Sequence, residues 1–406
     1  MALLKPFRGA RPSKSKAQAV AAPPYDVVSS AEARAYAAGK PDCFFRVSRP
    51  EVDLPADVDE HADAVYAKGR ENLELFLKNG TLKVDAEPHF YVYRQRMGDH
   101  AQVGLVAAAS VEEYDQSRIK KHELTRADKE DDRTRHIDEL GANDEPVFLT
   151  YRARPDIDAL IKQITDGAPE YDFTTDDGIG HTFWVAAPSS NGPIAAAFAQ
   201  VKALYIADGH HRSAAASRVA KLRKGKGGEH GFFLAVVFPH DQLKVLPYNR
   251  LVKDLHGRSA ADLLEKIAAK FDVKRDGQAL PEKVHQLAMY LDDHWFTLEA
   301  KPGSYPETPT GVLDVSILQT NLLEPLLGIG DPRKDSRIEF VGGIRGTREL
   351  EKRVDDDLAR VAFSMYPTRV EQMIAIADAN EIMPPKSTWF EPKLRSGLVV
   401  HLFEPA

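Results

Sequence analysis

The sequence predicts a mixed α/β fold, and three observations carry that expectation. Stretches with helical apolar spacing alternate with strand-like stretches along the whole chain. One of them, Phe232 to Phe238, is a continuous apolar run of the length a buried strand needs. Of the 406 residues, 43% are hydrophobic, which is enough to build a large core.

The elements follow in chain order. From Ala62 the apolar positions Val65, Tyr66, Leu73, Phe76 and Leu77 keep helix spacing, and Asn79-Gly80 supplies a stop. His89 to Arg96 alternates, with Phe90 and Val92 set against Tyr91 and Tyr93, as a half-buried strand does. Gln102 to Ala108 is its expected antiparallel partner across a turn at Gly98-Asp99. Residues 116–138 are dense in charge of both signs, which predicts a solvated helix or a polar loop. Short buried strands are expected at Glu145 to Tyr151, Phe183 to Ala186 and Leu204 to Ala207. An Ala-rich helix follows from Ser213 to Lys224. Later come helices at Ser259 to Phe271 and Pro281 to Leu291, then the proline-rich loop Gly303 to Gly311. A helix from Asp314 to Leu327, a strand near Ile338 to Val341, a helix from Thr347 to Leu358 and a strand at Leu398 to Phe403 complete the chain. Length suggests more than one domain. The expected division is residues 1–302, an α/β region holding the chemistry, and 303–406, a C-terminal α/β region.

Composition narrows the classes. Net charge is −7, which argues against wholesale binding to nucleic acid but not against a local basic site. Cys43 is the only cysteine, which rules out an intrachain disulfide and any cysteine-built zinc site. No apolar run reaches the length of a membrane span, and the first residues lack the apolar core of a signal peptide. A cytoplasmic protein acting on a small molecule, with no nucleic-acid or membrane partner, is the expectation.

The chemistry concentrates at Asp208-Gly209-His210-His211-Arg212. An apolar strand runs into Asp-Gly and then into a helix. A helix N-terminus offers unsatisfied N–H groups and a positive dipole end to an anion. Gly209 permits a sharp turn and close approach. Arg212 supplies a fork that matches phosphate oxygens. His210 and His211 could donate to the same phosphates, or one could move a proton. Asp208 could cap the helix, hold a metal ion such as Mg²⁺, or serve as a base. Asp-Gly is also an ordinary turn, but two histidines and an arginine at the positive end of a helix make a poor structural cap. Adjacent helical residues point about 100° apart, so His210 and His211 are not expected to share one ion.

The chain resembles the bacterial family called domain of unknown function 1015 over nearly its whole length. Matching stretches are Pro6 to Gly9, Ala22 to Val28, Lys121 to Thr125, Asp128 to Arg133, Pro146 to Tyr151, Ala207 to Arg212, Leu313 to Leu327 and Pro384 to Thr388. The Asp208–Arg212 turn is also similar to a motif of ParB-like proteins, sulfiredoxin and the archaeal free-serine kinase, which grips nucleotide phosphates. The resemblance implies a ParB/sulfiredoxin-like nucleotide-binding core with large α/β elaborations. It also implies phosphoryl transfer between ATP or ADP, with Mg²⁺, and serine or O-phosphoserine. Sulfiredoxin chemistry is excluded, because His210 stands where its cysteine would be. Partition of DNA is disfavoured, since no basic surface or added DNA-binding segment is evident.

Within that resemblance Glu123 joins Asp208 and His210 as a catalytic candidate, and either carboxylate could be the base that phosphoryl transfer needs. Lys386, in the stiff loop Pro384 to Phe390, could neutralise a phosphate. Tyr25 and Asp26 follow two prolines that would present them rigidly. His122 and Arg250 are further substrate-binding candidates, although Asn249-Arg250 departs from the His-Arg expected there. The acidic run from Asp128 to Asp132 reads as solvated. A phosphotransferase is thus the first expectation. A nucleotide-sensing regulator and a phosphoserine phosphatase are its rivals.

Overall fold

The computed structural model describes residues 3–404. The fold is mixed α/β, as expected. The chain forms two compact units, the first comprising residues 1–243 and 392–406 and the second residues 244–391. The expected boundary at 302/303 falls inside the second unit.

The first unit is built on a nine-stranded sheet. From one edge the strands run Ile119–Lys120, Leu204–Asp208, Val147–Tyr151, Phe232–Pro239, His100–Ser110, Tyr91–Met97, Gly180–Val185 and Tyr171–Thr174, and Leu4–Lys5 also pairs with His100–Ser110. Two of the pairings are parallel: Leu204–Asp208 with Ile119–Lys120, and Phe232–Pro239 with Val147–Tyr151. One apolar cluster joins Leu105, Leu149, Ile206, Phe233 and Val237 of the sheet to Ile157, Ile194 and Phe198 of the helices Pro155–Thr165 and Asn191–Phe198. Other helices, Ala127–Leu140 and His210–Leu222, pack on each other through Ile137, Ala215 and Val219. A four-stranded sheet sets the C-terminal strand Val400–Leu402 between Gly9–Pro12 and Ala142–Asn143.

The hairpin at residues 91–110 forms as expected, but Phe90, Tyr91, Val92 and Tyr93 are all buried. The strand is covered on both faces rather than half-buried. The charged segment becomes a short strand, a loop and the helix Ala127–Leu140. Asp132 is not solvated: it pairs with buried Arg133 at 2.8 Å and accepts from the Tyr66 hydroxyl at 2.8 Å.

The second unit carries a six-stranded antiparallel sheet in the order Phe271–Arg275, His294–Ala300, Gln286–Leu291, Val361–Ser364, Tyr248–Val252, Ile338–Gly342. One expected element is overturned there. Residues 281–291 are not a helix, because Gln286–Leu291 is a strand that pairs with both His294–Ala300 and Val361–Ser364. Asp292 and Asp293 both take positive φ, 48° and 61°, which is the backbone of a two-residue hairpin turn. The helix expected at 259–271 is shorter, Ala260–Ile267, and Phe271 already begins a strand. The helix from Asp314 to Leu327 contains a π segment at Gln319–Leu323. Among the described residues no helix is long and apolar enough to cross a membrane.

Candidate functional site

Strand pairing assembles the site. Ile119–Lys120 runs parallel to Leu204–Asp208, with Leu204 opposite Ile119 and Tyr205 opposite Lys120. Parallel strands leave the sheet at the same end, so His122 and Glu123 emerge beside the Asp208–Arg212 turn although about eighty-five residues separate them in sequence. The His122 and His210 rings meet edge to face with centroids 4.5 Å apart. The Glu123 carboxylate lies 3.8 Å from His210 Nδ1.

The turn itself has glycine for a conformational reason. Gly209 has φ +97°, and a Cβ there would lie 3.1 Å from the Arg212 side chain. It caps a thirteen-residue helix, His210–Leu222, whose first turn contains no acidic residue. The backbone N–H groups of His210, His211 and Arg212 find no acceptor among the described residues. Three donors are therefore left without a backbone partner at the positive end of the dipole. Asp208 does not cap these donors. Its Oδ1 accepts from the Gly209 N–H at 3.0 Å, and its Oδ2 accepts from Lys393 at 3.1 Å. Burial alone would raise the Asp208 carboxyl, but Lys393, Arg212 and His210 hold it well below the usual carboxylate range.

Histidine burial has the opposite sign. His122 is 1% exposed and His210 5% exposed. Desolvation pushes His122 down to about 4, and burial with the neighbouring His122 pushes His210 well down too. Both rings are neutral at neutral pH. The ring nitrogens of His122, and Nε2 of His210, make no well-formed hydrogen bond among the described residues, although the Ile206 backbone lies near His122. His211 faces elsewhere: its Nε2 accepts from the Arg126 N–H at 3.1 Å.

The Arg212 fork is turned partly into the protein. It is buried, and its Nη1 donates to the Pro146 carbonyl. Burial works against its charge, but Asp26, Asp208 and Glu145 outweigh it. Asp26 is exposed in the short turn Tyr25–Val27. Tyr25 is buried, with its ring 4.0 Å from the Arg133 guanidinium carbon and its N–H donating to Glu145 Oε1 at 3.0 Å. The remaining candidates, Arg250 and Lys386, belong to the second unit, where Arg250 Nη2 donates to the Lys386 carbonyl at 3.0 Å.

Two groups at this site escape sequence reasoning. Glu145 is buried beside Asp144, and burial together with that neighbour pushes it up to about 8. Its only sequence signal is an acidic pair at the mouth of a buried strand. Lys393 arrives from the C-terminal segment and carries no motif.

One ligand atom from each of His122, Glu123 and His210 lies within 4.8 Å of the others. Two imidazoles and a carboxylate suit ions such as Mn²⁺, Co²⁺ or Zn²⁺. They do not suit Mg²⁺, which prefers oxygen ligands. Asp208, the expected Mg²⁺ contact, is occupied by Lys393.

The family comparison agrees with the motif. The description "Protein of unknown function (DUF1015)" matches residues 4–316. The chain belongs to the DUF1015 family. This DUF1015 protein is also similar, at low identity, to solved structures. One is a conserved hypothetical protein from Pyrococcus furiosus, 14% identical, covering 74% of this chain and 95% of that one, with TM-score 0.35. A free serine kinase in complex with AMP is 12% identical over 73% of this chain and 92% of its own, with TM-score 0.34. SbnI with a C-terminal truncation, from Staphylococcus aureus, is 12% identical over 73% and 87%, with TM-score 0.38. No curated protein matches the DUF1015 sequence significantly.

Proposed function

We propose that the protein is a nucleotide-dependent phosphotransferase whose acceptor is a small hydroxyl compound. Serine, or O-phosphoserine in the reverse direction, is the candidate to which the Asp-Gly-His-His-Arg resemblance points. One observation carries the reading: the Glu123 carboxylate lies 3.8 Å from His210 Nδ1, beside a helix start whose N–H donors lack acceptors. Phosphoryl transfer asks for preorganised donors around the phosphate oxygens and a base for the attacking hydroxyl. The N–H groups of His210, His211 and Arg212 supply the first. Glu123, half-exposed and so within reach of a substrate, supplies the second. Asp208 is the weaker base, because Lys393 stabilises its charge and lowers its proton affinity. The acceptor O–H proton passes to Glu123 as the new O–P bond forms, and the bond from that phosphorus to the nucleotide's bridging oxygen breaks. His122 and His210, held neutral, each offer one N–H donor without adding a fixed charge.

The rival is a regulatory nucleotide binder, which would use the same N–H donors without needing the Glu123 base. Calorimetric titration with ATP, ADP and AMP tests the shared premise. At least one nucleotide is expected to bind at one equivalent and to raise the melting temperature, as a ligand of the folded state must. Absence of binding by all three contradicts both readings.

A further inference from the structure

The second unit contains a cavity of about 450 Å³, within the size range of small-molecule sites. Val315, Leu323, Phe340, Met383 and Pro385 give it apolar walls, and Arg250 lines it as well. Arg250 sits in the strand Tyr248–Val252, paired on one side with Phe340 and on the other with Phe363. It is 3% exposed. Its Nη1 donates to the Tyr248 carbonyl and its Nη2 to the Lys386 carbonyl, and its guanidinium carbon lies 5.4 Å from the centre of the Phe340 ring.

What this arginine lacks is a counter-ion. Among the described residues no carboxylate pairs with Arg250. The other arginine on the wall, Arg333, is taken by Asp331 at 3.0 Å. Burial pushes the Arg250 guanidinium down to about 9, and the Tyr248 phenol, not a carboxylate, is what opposes that shift. Buried charges are normally paired, and a lone one is a large cost to the fold. Two of the five guanidinium N–H groups are spent on carbonyls. The other three remain to grip an anion.

We propose that this cavity is an anion-binding site for a small molecule with a carboxylate or phosphate head and an apolar body. The head neutralises Arg250, and the body packs on Val315, Leu323, Phe340 and Met383. The site lies wholly within the second unit and does not depend on the phosphotransferase reading.

The test uses the full chain and two probes, phenylacetate and phenyl phosphate, titrated calorimetrically into wild type, Arg250→Met, Leu323→Trp and Arg212→Ala. Wild type is expected to bind at least one probe at this site, and which probe binds more tightly identifies the head group. Arg250→Met should weaken binding roughly ten- to hundred-fold, the usual worth of a charged hydrogen-bonding group. Leu323→Trp, which fills the cavity and keeps the charge, should weaken it too. Without ligand, Arg250→Met should melt no lower than wild type, because it removes an uncompensated buried charge and keeps the volume. A lower melting temperature for Arg250→Met, with probe binding unchanged in Leu323→Trp, would make Arg250 a structural anchor of the loop at Lys386 and overturn the proposal. So would failure of both probes to bind, or binding that survives Arg250→Met and disappears in Arg212→Ala. That last result would place the probe in the first unit and leave the nucleotide reading standing.

Discussion

At His122, burial strips water from both ring nitrogens, and the cost falls on the protonated form. The folded-state value drops from 6.5 to about 4. Between those values the unfolded chain binds the proton and the folded one does not. Stability supplied by the neutral ring is therefore complete above pH 6.5 and lost as pH falls toward 4, by roughly 1.4 kcal/mol per pH unit within that window. Urea unfolding at a series of pH values should show His122→Asn to be less acid-sensitive than wild type between pH 6.5 and 4. Parallel pH profiles for the two proteins would contradict the burial argument. The residue scale is also where the sequence was most legible. Asp208 to Arg212 and His122-Glu123 stand out as local motifs. Glu145 and Lys393 do not, because each is a single charged residue whose meaning comes from what the fold places beside it.

The strands and helices explain both what the sequence reveals and what it hides. The hairpin at residues 91–110 is readable because Gly98-Asp99 marks a turn between two apolar runs. The strand Gln286–Leu291 is not, because Val284, Leu287, Ala288 and Leu291 fall at i, i+3, i+4 and i+7, which is helix spacing. A strand buried on both faces has no alternation to oppose that pattern. The overlooked signal was Asp292-Asp293, a pair suited to positive φ. Packing in the large sheet gives a direct prediction. A Cβ on Gly104 would lie 2.7 Å from Val236 Cγ1 and 2.8 Å from the Phe238 ring, where His100–Ser110 pairs with Phe232–Pro239. Gly104→Ala should cost about 1–3 kcal/mol of stability, read from the shift of the urea midpoint. A variant as stable as wild type would show that this strand pair is not tightly packed.

The whole chain returns to the first unit after 148 residues spent in the second. Residues 392–406 bring Lys393 to Asp208 and insert Val400–Leu402 between two strands of the four-stranded sheet. Leu398, Val399, Val400, Leu402 and Phe403 are all buried. At ~1.5–3 kcal/mol for each buried side chain, they contribute about as much as a domain's entire net stability. A chain ending at residue 391 should lose cooperative unfolding by calorimetry, and an unchanged transition would contradict this account of the C-terminal segment. The alternation of elements made the fold class readable. The discontinuous first unit was not readable, since nothing local marks a segment that pairs with residues hundreds of positions away. The central claim rests on Glu123 beside the helix start. Transfer of labelled phosphate between ATP or ADP and serine, followed in both directions for wild type and Glu123→Gln, tests it most directly. The account predicts turnover by wild type and a loss of ~10²–10⁴-fold in Glu123→Gln with nucleotide affinity nearly unchanged. Wild-type protein that binds nucleotide but transfers no phosphate, or a Glu123→Gln variant as active as wild type, would contradict it.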